Sequence, residues 1–386
     1  MATIDDSAAP VKLVGEDWPV GPAACSDSPS LSFVMLLLLG ALLLHLLLLY
    51  RAGSNVADAA YLVADNATYL EIAERLPRLD FRGFQTKHFW GFPLSIALVA
   101  KLLGIPVISA MSLVSFTCGV LVVCLVHKLY GGFVGALFAV SSHFWMLYSL
   151  EGSSETLFAV LIYGGLLSSR GQNWASAGLL LGLAAIVRPL GVLAILAMGA
   201  VLLVQRKRRP LAAAIAPAAI VGLGYLSLLY AATGDPFANI RGYSFSAWGG
   251  GWRFFSWPVW TPIRALATAH FPRWTHLAQQ SVWAAVSAVG LLAMCLGRPY
   301  RTLWRRFPIE AAYGLAYVLF YNVYNITEGG VDYPRFIGPI VPFILLSFGR
   351  YSEWRWEVLV GLGLLNAALA ASAVAGMRAV LGISLP

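Results

Sequence analysis

The chain has 386 residues, 59% of them hydrophobic and only 11% charged, with a mean hydropathy of +0.75 and a formal net charge of +8. That composition excludes a soluble domain: apolar runs of roughly twenty residues, enough to cross ~30 Å of hydrocarbon, recur from Leu31 almost to the C-terminus, as in a polytopic membrane protein. The basic residues fall largely in short loops between apolar runs, as topology determinants do, so the positive charge does not point to nucleic acid.

Residues 1–30 are polar and rich in Ala, Asp, Ser and Pro, and lack the basic stretch that precedes a cleavable signal; a disordered cytoplasmic tail is expected, followed by one transmembrane domain over 31–386. Leu31 to Tyr50 is the first spanning helix, interrupted only by His45. Residues 51–105 form the first extracytoplasmic loop. Within it Asp65 and Tyr69 lie four apart and share a helix face, while Leu70, Ile72, Ala73 and Leu76 give that helix a side for the headgroup layer, and Pro77 ends it. Phe92 to Leu103 is apolar but short and is broken by Lys101, Gly104 and Pro106, which suits a re-entrant or juxtamembrane helix. Further spans are expected at Val107 to Val126, Phe133 to Tyr148, Thr156 to Leu167, Ala175 to Val187, Leu190 to Val204 and Leu211 to Ala231.

A long aromatic loop, 233–280, then carries Trp248, Trp252, Trp257, Trp260 and Trp274 with three consecutive glycines from Gly249. Interfacial anchoring accounts for it, and closure over a site is the functional alternative. Spans at Ser281 to Leu296, Ile309 to Tyr324, Phe336 to Phe348 and Val358 to Val380 complete an all-α bundle of about eleven transmembrane helices. With the N-terminus inside, alternation sends Arg170, Arg206 to Arg209, Arg298, Arg301, Arg305, Arg306, Arg350 and Arg355 to the cytoplasm. Asp65, Glu151, Glu155, Asp235, Glu328, Asp332, Arg188 and Arg335 fall on the opposite face. Ionisable groups at membrane depth are expensive and usually face a polar cavity, so this gathering implies an outward-facing site.

Each of these groups has a structural as well as a functional reading. Asp65 can take a proton from a hydroxyl, or Asp65 or Asn66 can simply cap a helix. Glu151 and Glu155 can line a cavity or contact an acceptor, or sit at a helix start capped by Ser153 or Ser154. Arg188 can mark a helix boundary before Pro189, yet an arginine in a short outer loop asks for a partner. Arg335 can grip two phosphate oxygens, or reach the headgroups or pair with Asp332. His270 and His276 are too isolated for metal ligands, and Cys25, Cys118, Cys124 and Cys295 show no paired spacing. Asn66-Ala-Thr68 and Asn325-Ile-Thr327 match a glycosylation sequon short enough to arise by accident.

Taken in order, Asp65-x-x-x-Tyr69, Ser154-Glu155, Arg188-Pro189 and Asp332-Tyr333-Pro-Arg335-Phe336-x-x-Pro339-x-x-Pro342 resemble the GT-C superfamily of integral-membrane glycosyltransferases, which includes protein O-mannosyltransferases, the lipid A aminoarabinose transferase and glycolipid mannosyltransferases. The resemblance implies transfer of a sugar, with inversion, from a polyprenyl-phosphate donor to a glycolipid, polysaccharide or protein acceptor outside the cytoplasm, within membrane lipid and without nucleic acid. It implies Asp65 as general base and Arg335, Lys87, His88 and Arg188 as donor-phosphate ligands, with Tyr69, Glu155, Glu151, Asp332 and Tyr333 around the substrates. Pro93 stands farther from Lys87-His88 than the family pattern has it, and Phe336 replaces the usual tyrosine. Some members use a divalent cation and others do not. The rival class is a transporter or flippase, which places its polar groups near the midplane, often in repeated halves, whereas this chain concentrates them at one face.

Overall fold

In a computed structural model the described residues are 29–51, 65–78, 88–141, 149–246, 257, 274–323, 336–348, 357, 359–365 and 367–368. Among them every regular element is helical. In chain order these are α1 (Leu31–Arg51), α2 (Asn66–Arg75, continued by a 3₁₀ turn, Leu76–Arg78), α3 (Gly91–Leu103), α4 (Val107–Tyr130), α5 (Gly132–Ser141), α6 (Ser154–Arg170), α7 (Trp174–Val187), α8 (Gly191–Val204) and α9 (Arg208–Thr233). Then follow α10 (Ala238–Ser246), α11 (Trp274–Leu296), α12 (Arg298–Arg306), α13 (Pro308–Val323) and α14 (Val341–Ser347), the last preceded by a 3₁₀ turn, Gly338–Ile340.

Three helices, α1, α4 and α9, are long and apolar enough to cross a membrane by length and composition, and five shorter apolar helices accompany them among the described residues. By that length and composition the chain is an integral membrane protein. The expected count of about eleven spans is not confirmed among the described residues. The reason is length: a helix of fourteen residues such as α7 or α8 rises only ~21 Å against ~30 Å of hydrocarbon. On α1 the buried residues Val34, Leu38, Leu42, His45 and Leu49 recur at helical spacing and form one inward stripe, while Leu36, Leu39, Leu43 and Leu47 face outward. His45 therefore lies in the packed seam.

Close packing of the middle helices depends on small residues, as it does where lipid tails offer no hydrophobic drive for association. A methyl group on Gly178 of α7 would come within 1.8 Å of the Ala214 carbonyl oxygen on α9, and one on Gly182 within 2.9 Å of Ala218 Cα. In the core, Tyr130, Tyr163, Tyr313 and Phe343 meet edge-on or stacked, with centroid distances of 5.8–6.3 Å.

Helix α6 sets the polarity of the bundle. Its first turn meets side chains of α2 and α4, and its last residue, Arg170, meets the end of α4 at the Leu129 carbonyl and the start of α13 at Glu310. Because α7 leaves from the Arg170 end and α8 returns to it, the exposed run Arg206 to Arg209 lies at that end, as does α12, which leads directly into α13. The start of α3 belongs to the opposite end, with Gly91 against the backbone of Ile186 and Val187 at the close of α7. So does the start of α4, where Met111 lies beside Gly152. Helix α3 therefore begins at the end where α4 also begins, instead of carrying the chain through the bundle.

Candidate active site

Asp65 stands at the N-cap position of α2, yet its side chain makes no capping bond. Its carboxylate is 28% exposed and lies 4.0 Å from Nδ1 of His88, whose side chain is buried. One turn along α2, the Tyr69 ring meets His88 edge-on at 5.4 Å and Phe92 edge-on at 5.3 Å. The spacing of Asp65 and Tyr69 thus works as the helix face requires.

The Tyr69 hydroxyl leads into the second motif, lying 3.3 Å from Ser154 Oγ. Ser153 is the N-cap of α6: its hydroxyl oxygen accepts from the Glu155 backbone N–H at 3.0 Å, and its own O–H donates to the Glu155 carboxylate. Glu155 is 1% exposed and is engaged by the Arg188 guanidinium, whose Nη1 also donates to Ser154 Oγ at 3.2 Å. A carboxylate so buried is tolerable only with such charge-assisted partners. Ser153 thus caps the helix, as the structural reading has it, while Glu155 pairs with Arg188.

Arg188 closes α7 in an extended conformation before Pro189, and its Cζ lies 5.4 Å from the ring centroid of Phe336. Phe336 in turn stacks on Tyr321 at 5.1 Å, and its carbonyl accepts from the Tyr317 hydroxyl at 3.1 Å. The prolines of the last motif follow. Pro339 lies in the 3₁₀ turn with its carbonyl accepting from Tyr163 at 2.7 Å, and Pro342 sits in the first turn of α14, where a missing N–H does no harm. All four motifs thus send residues to one end of the bundle: Asp65 and Tyr69, Ser154 and Glu155, Arg188, and Phe336. Lys87, Asp332, Tyr333 and Arg335 lie outside the described residues.

Glu151 lies fully buried beneath this group, with Oε1 3.1 Å from His45 Nε2 in the seam of α1. Burial pushes its carboxyl pKa up, and the bond and charge of His45 pull it partly back. Sequence reasoning did not connect His45 with this end, since nothing in an apolar helix marks which buried polar residue will find a partner 106 positions away.

Two further sets were also missed. Asn66 reaches across to the segment before α6, and Asn239 of α10 holds the turn before α3 by donating to the His88 carbonyl at 2.7 Å. Asn239 accepts from the Tyr225 hydroxyl at 2.7 Å, which itself accepts from the Trp90 N–H at 3.1 Å. The start of the second loop is so fastened to the end of the first. Among the described residues no group of three or more His, Cys, Asp or Glu side chains could hold a metal ion.

The helices and their convergence make a fold that is shared with a solved structure. The chain is similar to the crystal structure of ArnT from Cupriavidus metallidurans bound to undecaprenyl phosphate, with a TM-score of 0.53 and 15% identity over 87% of this chain and 64% of that one. It therefore spans less than two thirds of that protein's length. The structure of the same protein in the apo state is similar with a TM-score of 0.46 and 16% identity, over 86% of this chain and 62% of that one. At such identity the likeness is one of fold. No family model matches the sequence, and no curated protein does.

Proposed function

We propose that the chain is a glycosyltransferase that takes its sugar from a polyprenyl-phosphate donor and passes it to an acceptor hydroxyl on the face opposite the Arg206 to Arg209 cluster. The observation that carries this reading is the meeting of Asp65, Tyr69, Ser154, Glu155 and Arg188 at one end of a fold shared with a protein crystallised with undecaprenyl phosphate. The exposed basic runs at the other end support a cytoplasmic placement for that end, since short cytoplasmic loops carry an excess of Lys and Arg.

In this reading Asp65 accepts the proton of the acceptor hydroxyl as its oxygen attacks the anomeric carbon. The bond from that carbon to the phosphate oxygen breaks, and the polyprenyl phosphate leaves with the electron pair, inverting the centre. Charge then builds on the phosphate, and fixed cations in a water-poor site stabilise it more than water would. Arg335, next in the chain to Phe336, is assigned to the phosphate with Lys87, because a guanidinium can hold two of its oxygens at once. Arg188, tied to Glu155, adds positive field from the side. Asp332 and Tyr333 are assigned to substrate contacts, and glycolipid or polysaccharide is the favoured acceptor. No step is assigned to a divalent cation.

Purified protein given a panel of labelled undecaprenyl-phosphate-linked hexoses and pentoses with a membrane-lipid extract should form a new glycosylated product. Asp65→Asn should leave the folded protein in place and lower turnover about a hundred- to ten-thousandfold, the range of a general base. Movement of label across vesicles without product, or full turnover by Asp65→Asn, would overturn the reading.

A further inference from the structure

Asn66 follows the proposed base directly and is 1% exposed. Its side-chain nitrogen donates to two backbone carbonyls 85 and 86 residues away, that of Glu151 at 3.1 Å and that of Gly152 at 2.9 Å. Both acceptors belong to one short strap, residues 149–153, which leads into α6. The strap is fixed from several sides. Glu151 holds His45 of α1, and the Ser153 N–H donates to Ser115 Oγ of α4 at 2.9 Å. Ser149 lies so close to α4 that a methyl group on Gly119 would meet its hydroxyl at 2.1 Å. Gly152 itself takes φ of +101°, a left-handed conformation that favours glycine, with Met111 filling the space where a side chain would go.

Few side chains could replace this amide. Two N–H donors are spent on two buried main-chain acceptors, so Asp offers none, Ser offers one, and Gln carries an additional methylene. The same strap continues into Ser154 and Glu155, which hold Arg188, while Ser153 donates to Glu155. Helix α2 and the Arg188 ion pair are therefore referenced to one rigid piece of backbone.

We propose that Asn66 is the positioning residue of the site, setting the Asp65 carboxylate in register with the Arg188–Glu155 pair through the Glu151 and Gly152 carbonyls. The proposal rests on the reading of Asp65 as base. It also takes Asn66 out of the glycosylation sequon, since an amide committed to two buried carbonyls presents no acceptor to solvent.

The test compares Asn66→Ala with the native protein in the donor panel above, using the donor that turns over. Turnover should fall at least tenfold while the donor KM stays within about threefold, and the amides of α2 should exchange hydrogen at least tenfold faster with those of α6 unchanged. Since Asn66 acts through Asp65, the double variant with Asp65→Asn should be no slower than Asp65→Asn alone. Turnover within twofold of native, or a loss that multiplies on top of Asp65→Asn, overturns the proposal. Where Asn66→Ala does not fold, Asn66→Ser, which keeps one donor, replaces it with a smaller loss in the same direction. If Asp65→Asn itself turns over fully, the base assignment falls, and the exchange of α2 alone decides whether Asn66 holds that helix, unchanged exchange counting against it.

Discussion

Helix α6 carries one member of a buried Arg–Glu pair at each of its ends, and the two pairs are built differently. At the far end all three nitrogens of Arg170 are engaged. Nε and Nη2 meet the two Glu310 oxygens at 2.6 and 2.7 Å, and Nη1 meets the Leu129 carbonyl at 2.7 Å. The guanidinium also lies 3.7 Å from the Phe307 centroid and 5.3 Å from that of Tyr130, so rings flank the ion pair. At the near end Glu155 pairs with Arg188 amid hydroxyls, those of Ser153, Ser154 and, one bond on, Tyr69. The first arrangement clamps helices α4, α6 and α13. The second holds a charge in surroundings that can rearrange by rotating hydroxyls, as the proposed departure of a phosphate would require.

That difference can be broken experimentally, beginning where the effect is largest. Glu310→Ala leaves Arg170 as an uncompensated charge and should lower stability by about 3–5 kcal/mol, read as thermal unfolding in detergent, while the protein that remains folded still turns over. Glu155→Gln keeps the shape of the near pair but removes its charge. Turnover should fall about tenfold or more, with a smaller loss of melting temperature than Glu310→Ala gives; the reverse pattern would make the near pair the structural one. Tyr69→Phe removes a single hydroxyl from Ser154 and should cost about 1 kcal/mol, a roughly fivefold change in turnover.

The smallest effect concerns pH. Folding raises the Glu151 pKa, so the folded state binds its proton more tightly than the unfolded chain. The resulting stability is fully present below the ordinary value of 4.5 and is lost as pH rises through the raised value, less the part that His45 restores. Glu151→Gln cannot ionise and should flatten the fall in melting temperature over that interval. An unchanged pH profile would show that His45 holds the carboxylate ionised throughout.

Much of this site could be read from the chain because its chemistry sits in short stretches whose order survives folding. Asp65 and Tyr69 share a face by helical spacing alone, Ser153 precedes an acid at a helix start, and an arginine before Pro189 asked for a partner and has one in Glu155. What could not be read is pairing through space. His45 with Glu151, Asn66 with the strap, and Asn239 with the turn before α3 join single polar residues 85–151 positions apart, and no periodicity announces them. The helix count is not confirmed among the described residues for another reason, because apolar stretches of fourteen residues satisfy hydropathy while rising less than the bilayer's thickness. The approach of His88 Nδ1 to Asp65, at 4.0 Å, likewise joins residues of two separate stretches through space.

The fastening between Asn239 and residue 88 is one-sided in what it demands of evolution. Its acceptor is a main-chain oxygen, which every amino acid supplies, while its donor is a particular amide on a particular helix turn. Substitution at 88 can therefore alter whatever the imidazole does without undoing the joint, whereas substitution at 239 undoes it whatever stands at 88. Among homologues, position 239 should vary less than its partner, and the drift at 88 should follow the chemistry of the substrate.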